Sequence, residues 1–369
     1  MKNPISIYLK KTIFVLFSFL FITCSKEQPI EENGENNQIL KVAFDTDENS
    51  TIMFYDGESE EEMTSEERRY EIGKVLRIKP IDNTTIEVAN FAPVDIEDAT
   101  IIATIDIEGV ETEIELFTIT HIRAHARGEL KYPFVEGNTE FLDVNGNTVD
   151  LAQFKTSGIP VEEINFNYTG TSELITKLKS LQALNWKFKY HNYDPNSNPD
   201  NNWADEVTAK DFRRASGIMI NFGYIVLSEE YKTAFLAEHL FDDKLNVLTE
   251  EDKEDVYQRL LAKGEFNLGK TVKVGGLASL GPGRVLGFAE NIYRDYLVKA
   301  STADLTTHEM HHTLGFNHTS NLTYPKTVEG YDGKVGAVRV AIEVKQKMLD
   351  EDELPIKLSN YYMRSDFPE

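Results

Sequence analysis

The sequence predicts an α+β fold, a β-sandwich followed by a mixed sheet with helices, from three observations. Apolar and polar residues mostly alternate from Ile39 to about Phe117, as in Ile86-Glu87-Val88 and Ile105-Asp106-Ile107, the period-two signature of half-buried strands. Beyond Pro160 the rhythm lengthens, and Glu229 to Leu240, Thr249 to Ala262 and Gly336 to Leu349 carry the three-to-four spacing of amphipathic helices. Asn185 to Tyr190 still alternates, so strands and helices are interleaved in the second half. A chain of 369 residues exceeds one average domain, which predicts two.

In chain order, Lys2, Lys10 and Lys11 precede an apolar run from Thr12 to Ile22, and Thr23-Cys24 follow. A run of about eleven residues is short for a bilayer span and suits a secretory signal. Its ending, Phe21-Ile22-Thr23-Cys24, resembles a bacterial lipobox. That implies removal of residues 1–23, lipid on Cys24 as the membrane attachment, and an exported protein at the outer membrane or cell surface. An ordinary secretory peptide with an incidental cysteine is the alternative. Residues 24–37 are almost free of apolar side chains and are expected to be a flexible tether.

Residues 38–157 are expected to form the β-rich domain, an Ig-like sandwich acting as a spacer, with Glu108-Gly109 as one of its turns. The acidic run from Asp56 to Glu67 suits a solvated loop or short helix better than a calcium site. His121 and His125 have the spacing of two ligands on a helix, but they follow a β-patterned run and a structural or surface role is expected. Asp143-Val144-Asn145-Gly146-Asn147 is a turn signal, and the boundary falls near Gly158-Ile159-Pro160. Residues 158–369 make the second domain.

Charge and cysteine content limit the chemistry. With 62 acidic against 38 basic residues the formal charge is −24, which excludes a nucleic-acid partner because a phosphate backbone is held by clustered Lys and Arg. One cysteine forms no internal disulfide and no thiolate zinc site, so any metal sits on His, Asp or Glu.

The residues that satisfy this limit lie close together. Of eight histidines, four fall in His308-Glu309-Met310-His311-His312-Thr313-Leu314-Gly315-Phe316-Asn317-His318. On a helix His308 and His312 lie one above the other and can share a tetrahedral ion, with Glu309 beside them in reach of a water on that ion. Gly315 permits a positive φ as the chain leaves the helix, and the turn can bring His318 round as third ligand. Ser301-Thr302-Ala303-Asp304 has the form of a capping box at the helix start. His311 points about 100° away from His312 and is expected to be packed or exposed rather than metal-bound.

This stretch resembles the metzincin zinc peptidases, whose signature is H-E-x-x-H-x-x-G-x-x-H followed by a methionine-containing turn. His308, Glu309, His312, Gly315 and His318 occupy every defined position. The resemblance implies zinc on His308, His312 and His318, Glu309 as general base, and a peptide lying antiparallel to an edge strand above a metzincin-like mixed sheet. Val274 to Gly283 looks like that strand. Ser320-Asn321-Leu322-Thr323-Tyr324 resembles the turn, with leucine in the methionine position and shortened spacing from His318. Tyr324 then matches the family tyrosine that reaches the zinc or the oxyanion, simple packing being its alternative. Met363 is the competing turn residue. The resemblance rests on the motif and its turn, is compatible with the pattern from 160 to 355, and does not reach the N-terminal domain. With Cys24 as the lone thiol, a cysteine switch is excluded.

A second metal candidate is Asp194-Pro195-Asn196-Ser197-Asn198-Pro199-Asp200 with Asp205, whose alternating oxygens suit calcium. Pro199 stands where a tight calcium loop needs glycine, and a polar turn loop is the competing reading. The function expected is a zinc-dependent endopeptidase acting on extracellular proteins or peptides. The alternatives are a non-catalytic zinc-containing binding or adhesin lipoprotein and a zinc hydrolase of cell-wall amide linkages.

Overall fold

The alternating segments become two sheets in the computed structural model, which describes residues 39–191, 203–204, 206–272, 277–278 and 285–368. The signal run, Cys24, the tether, the candidate calcium residues 194–200 and Asp205, and most of 274–283 lie outside the described residues. The first sheet has the order β10-β9-β7-β6-β11, with β1 parallel to β7. Its strands are β1 (Lys41–Phe44), β6 (Ile96–Ile107), β7 (Val110–Ile122), β9 (Glu140–Asp143), β10 (Thr148–Asp150) and β11 (Ile164–Thr169). The β6–β7 hairpin turns at Glu108 and Gly109, at φ 56° and 86°, as a tight turn that follows the strand twist requires. The second sheet, antiparallel in the order β2-β8-β5-β4, contains β2 (Thr51–Ile52), β4 (Leu76–Pro80), β5 (Thr85–Asn90) and β8 (Ala126–Lys131).

A third sheet positions the site. It runs β14-β15-β13-β12-β3, from β3 (Tyr70–Glu71), β12 (Trp186–His191), β13 (Gly264–Thr271), β14 (Leu277–Ala278) and β15 (Val285–Ala289). Its centre is parallel, β12 to β13 to β15, while β3 and β14 run antiparallel along the two edges. Short helices α1 (Glu60–Met63), α2 (Pro133–Glu136) and α3 (Glu173–Ser180) belong to the first half. The second half supplies α4 (Ala209–Leu227), α5 (Glu229–Ala237), α6 (Glu250–Leu261), α7 (Glu290–Asp295), α8 (Ala303–Thr313) and α9 (Ala337–Asp350), plus a hairpin of β16 (Lys326–Thr327) and β17 (Lys334–Val335). The fold is therefore mixed α+β with several antiparallel sheets, and the helices read at α5, α6 and α9 lie where their spacing puts them. Among the described residues no helix is long and apolar enough to cross a membrane.

The capped helices start where their sequences allow. Thr208 with Asp211, and Thr249 with Asp252, close reciprocal capping boxes on α4 and α6. From Phe212 to Gly223 every residue of α4 is buried, so its polar members need internal partners. Arg213 finds them, binding Asp366 through Nε at 2.8 Å and Nη2 at 2.6 Å. Its Nη1 reaches the Phe54 carbonyl and Asp56, both at 2.8 Å.

These bonds tie the first half to the second. β3 pairs with β12, Tyr70 stacks on Phe188 at 5.0 Å, and β11, beyond position 158, pairs with β6. The described residues accordingly share one hydrophobic core within one compact unit. The acidic run forms α1 and a further short helical turn, anchored by Arg68, which is buried against Glu58 at 2.6 Å.

Candidate metal centre

Helix α8 carries His308, Glu309, His311 and His312, all buried. The capping box read at its start does not form. A short helical turn, Ala300–Thr302, runs directly into α8, so Ser301, the cap residue of that box, already lies inside helix, and Thr302 has helical φ/ψ and makes no side-chain cap. Its hydroxyl instead donates to the Lys299 carbonyl at 2.6 Å and accepts from Lys345 Nζ of α9 at 2.7 Å. That amine sits 3.2 Å from the centroid of the Tyr296 ring, and burial pushes its pKa well below the lysine range. The entry to α8 is thus fixed by α9.

The other end follows the sequence. Gly315, at φ 99°, takes the left-handed position after the last turn; its N–H bonds the His312 carbonyl at 2.9 Å and the Phe316 N–H bonds the His311 carbonyl at 3.2 Å. This Schellman arrangement reverses the chain and returns His318 to the helix. The ligand atoms of His308, His312 and His318 lie within 4.8 Å of one another. His318 is the exposed member, with ring centroids 5.3 Å from His308 and 4.6 Å from His312.

Both helical imidazoles have their tautomer fixed by backbone. His308 Nδ1 donates to the Thr323 carbonyl at 2.8 Å and His312 Nδ1 to the Phe316 carbonyl at 2.7 Å. With those protons on Nδ1, each Nε2 presents a lone pair, and the two Nε2 atoms face each other at 3.0 Å. Burial brings the His308 pKa down to about 4 against the opposing pull of the Thr323 carbonyl, and lowers His312 as well. Two neutral imidazoles aiming lone pairs at one another repel unless a cation lies between them. Ligands of a tetrahedral zinc at 2.0–2.1 Å stand about 3.3 Å apart, close to the spacing found here. The donor set therefore fits a three-histidine metal site, with carbonyl acceptors in the orienting role that such ligands commonly receive.

Glu309 places Oε1 3.9 Å from His308 Nε2. Tyr324 packs its ring 4.2 Å from His308 and 4.9 Å from His318, yet stays 44% exposed, so it borders the site without being sealed in it. Burial, then the charges of Glu309 and Asp304, raise its pKa, which keeps the phenol a donor. The intervening turn is held from several sides. Asn321 Oδ1 accepts from the Phe241 N–H at 2.8 Å, its Nδ2 donates to the His239 carbonyl at 2.7 Å, and Ser320 Oγ donates to the Phe241 carbonyl at 2.7 Å. Gly336, at φ 151°, begins α9 where a Cβ would come 2.4 Å from the Asn321 carbonyl. Leu322 is fully buried in this turn. Met363 belongs elsewhere, in the segment whose Tyr362 N–H bonds Pro93 and whose Asp366 binds Arg213.

Among the described side chains, the remaining histidines are not part of the ligand group. His121 lies on β7 near Asp95 and Glu97, at 3.5 and 3.6 Å, and His125 is buried edge-on to Phe54. His311 is fully buried, donates from Nδ1 to the Thr307 carbonyl at 2.8 Å and stacks near Phe235. The sequence reading missed the orienting carbonyls of Thr323 and Phe316 and the clamps on Ser320 and Asn321. The carbonyls have no side-chain signal, but two small polar residues opening the turn could have suggested the clamps. No family model, curated protein or solved structure matches the chain.

Proposed function

We propose that this chain is a zinc-dependent endopeptidase of metzincin-like fold, with an Ig-like sandwich at its N-terminus, exported and tethered through lipid on Cys24. The observation that carries the reading is the convergence of two Nε2 lone pairs at 3.0 Å, both tautomers set by carbonyls, with His318 alongside and Glu309 next to the pair. A purely structural metal site needs the histidines and has no use for the carboxylate. When bound, zinc supplies the Lewis acid that polarises a scissile carbonyl and makes a water nucleophilic near neutral pH.

The chain's own residues do the rest. Glu309 takes the proton of the attacking water and delivers it to the leaving amine, so it begins and ends the cycle ionised. The Tyr324 phenol donates to the carbonyl oxygen as that oxygen gains negative charge. Strand β14 runs antiparallel to β15 at the sheet edge near α8, the placement an extended peptide needs to add itself as a further strand. Leu322 fills the place of the family's methionine, and similar-volume apolar swaps commonly cost less than about 1.5 kcal/mol.

Glu309→Gln tests this reading. The variant is expected to keep stoichiometric zinc while turnover of a casein-type substrate falls by roughly a hundredfold to ten-thousandfold. Equal turnover in variant and wild type contradicts the role of Glu309, and no cleavage by the zinc-loaded wild type contradicts the peptidase reading.

A further inference from the structure

Asp304 is the acidic residue that the expected capping box would have used, and it is left with no such task. It precedes His308 by four residues on α8, so its side chain leaves the helix on the face that bears the ligands, with Cβ atoms about 6 Å apart. It is half-buried, and among the described residues neither a cation nor a hydrogen-bond donor partners it. Burial alone shifts it, raising its pKa, and its charge reaches the Tyr324 phenol. It stands outside the group of ligand atoms that His308, His312 and His318 form, so it is not a fourth ligand of that group.

An acid in a first helical turn gains some stabilisation from the helix dipole. That does not account for withdrawing the carboxylate partly from water without a hydrogen bond, which costs more as burial deepens. At the other end of the histidine cluster Asp243, accepting from the Asn317 N–H at 2.9 Å, adds negative charge beside His312. The whole chain, at −24, attracts cations. Lys326, whose Nζ donates to the His318 carbonyl at 2.8 Å and lies 5.8 Å from the Tyr324 ring centroid, is already engaged and forms no ion pair with Asp304, so the lone carboxylate on the ligand-bearing face remains complementary to a positive group brought in by the substrate.

We propose that Asp304 is a specificity-determining residue whose carboxylate receives one basic side chain, lysine or arginine, of the peptide at a fixed distance from the scissile bond. This rests on the peptidase reading and names its substrate class. The ion pair forms when the peptide lies along the cleft and leaves zinc and Glu309 untouched, so selectivity and chemistry are separable.

The test uses the zinc-loaded full chain and a peptide mixture with cleavages mapped by mass spectrometry. Wild type is expected to show lysine and arginine enriched at one position relative to the cut, with that enrichment absent in Asp304→Asn and replaced by acidic residues in Asp304→Lys. On a lysine peptide kcat/KM should fall roughly tenfold or more in Asp304→Asn, while its glutamine counterpart changes less than about threefold. Cleavage with the same profile in all three proteins, or a loss of zinc in Asp304→Asn, overturns the proposal. Binding of a lysine-containing and a glutamine-containing peptide hydroxamate separates the two readings. A lysine preference abolished by Asp304→Asn supports the subsite even if turnover is absent, and equal affinities in wild type overturn it.

Discussion

The chain contains two histidine pairs of identical spacing, and they end in opposite states. His121 lies near the end of β7 and His125 in the turn that follows it; His121 stays part-exposed beside Asp95 and Glu97, while His125 turns inward at φ 51°. There it is fully buried, edge-on to Phe54 at 5.3 Å and Tyr362 at 5.7 Å, and its Nδ1 has no partner. His308 and His312 lie on a helix, each with Nδ1 satisfied, and their Nε2 atoms meet at 3.0 Å. Four-residue spacing is shared; what differs is the backbone beneath it and the carbonyl behind each ring. A metal site is made by directing lone pairs at one point, and spacing achieves this when a helix holds the rings and an acceptor fixes each tautomer.

The largest expected effect separates the pairs directly. His312→Ala should abolish stoichiometric zinc after dialysis against a weak chelator, whereas His121→Ala should leave zinc content unchanged, both read by elemental analysis. Loss of zinc in His121→Ala would erase the distinction. Next in size, Tyr324→Phe should lower kcat by roughly a hundredfold if the phenol donates to the developing oxyanion. Unchanged turnover would reduce Tyr324 to packing against His308 and His318.

A smaller effect concerns acid. Burial, then the charges of Arg213 and Arg68, bring the His125 pKa down to about 3 from its ordinary 6.5. The unfolded chain therefore takes up the proton first, and stability falls as pH drops from 6.5 towards 3, by at most about 1.4 kcal/mol per unit. Above 6.5 this contribution is complete and flat. Urea midpoints across that window should slope less in His125→Asn, a residue that tolerates positive φ. An equal slope in the variant would assign acid sensitivity to other groups.

What could be read from sequence depended on how local its cause was. Helix α8, its end at Gly315 and the return of His318 arise within eleven residues, and each step has its own residue type. The acceptors behind His308 and His312 are main-chain carbonyls, which any residue supplies. Helix α4 was legible locally as well, in the capping box of Thr208 with Asp211 and the apolar rhythm of Phe212, Ala215, Ile218, Met219 and Phe222, and went unread. Its bond to Phe54 and Asp56 through Arg213, and the pairing of β3 with β12, join residues more than a hundred positions apart and have no signature in either segment. At Ser301-Thr302-Ala303-Asp304 the local pattern was present, but the helical turn Ala300–Thr302 puts Ser301 inside the helix, where it is no longer an N-cap.

X-ray absorption at the zinc edge tests the metal centre most directly. For the purified, zinc-loaded chain it should show three imidazole nitrogens and one oxygen at about 2.0–2.1 Å, falling to two imidazoles or to no bound zinc in His308→Ala. A wild-type spectrum with fewer than three imidazoles, or one that His308→Ala leaves unchanged, would contradict the convergence of His308, His312 and His318 on a single ion.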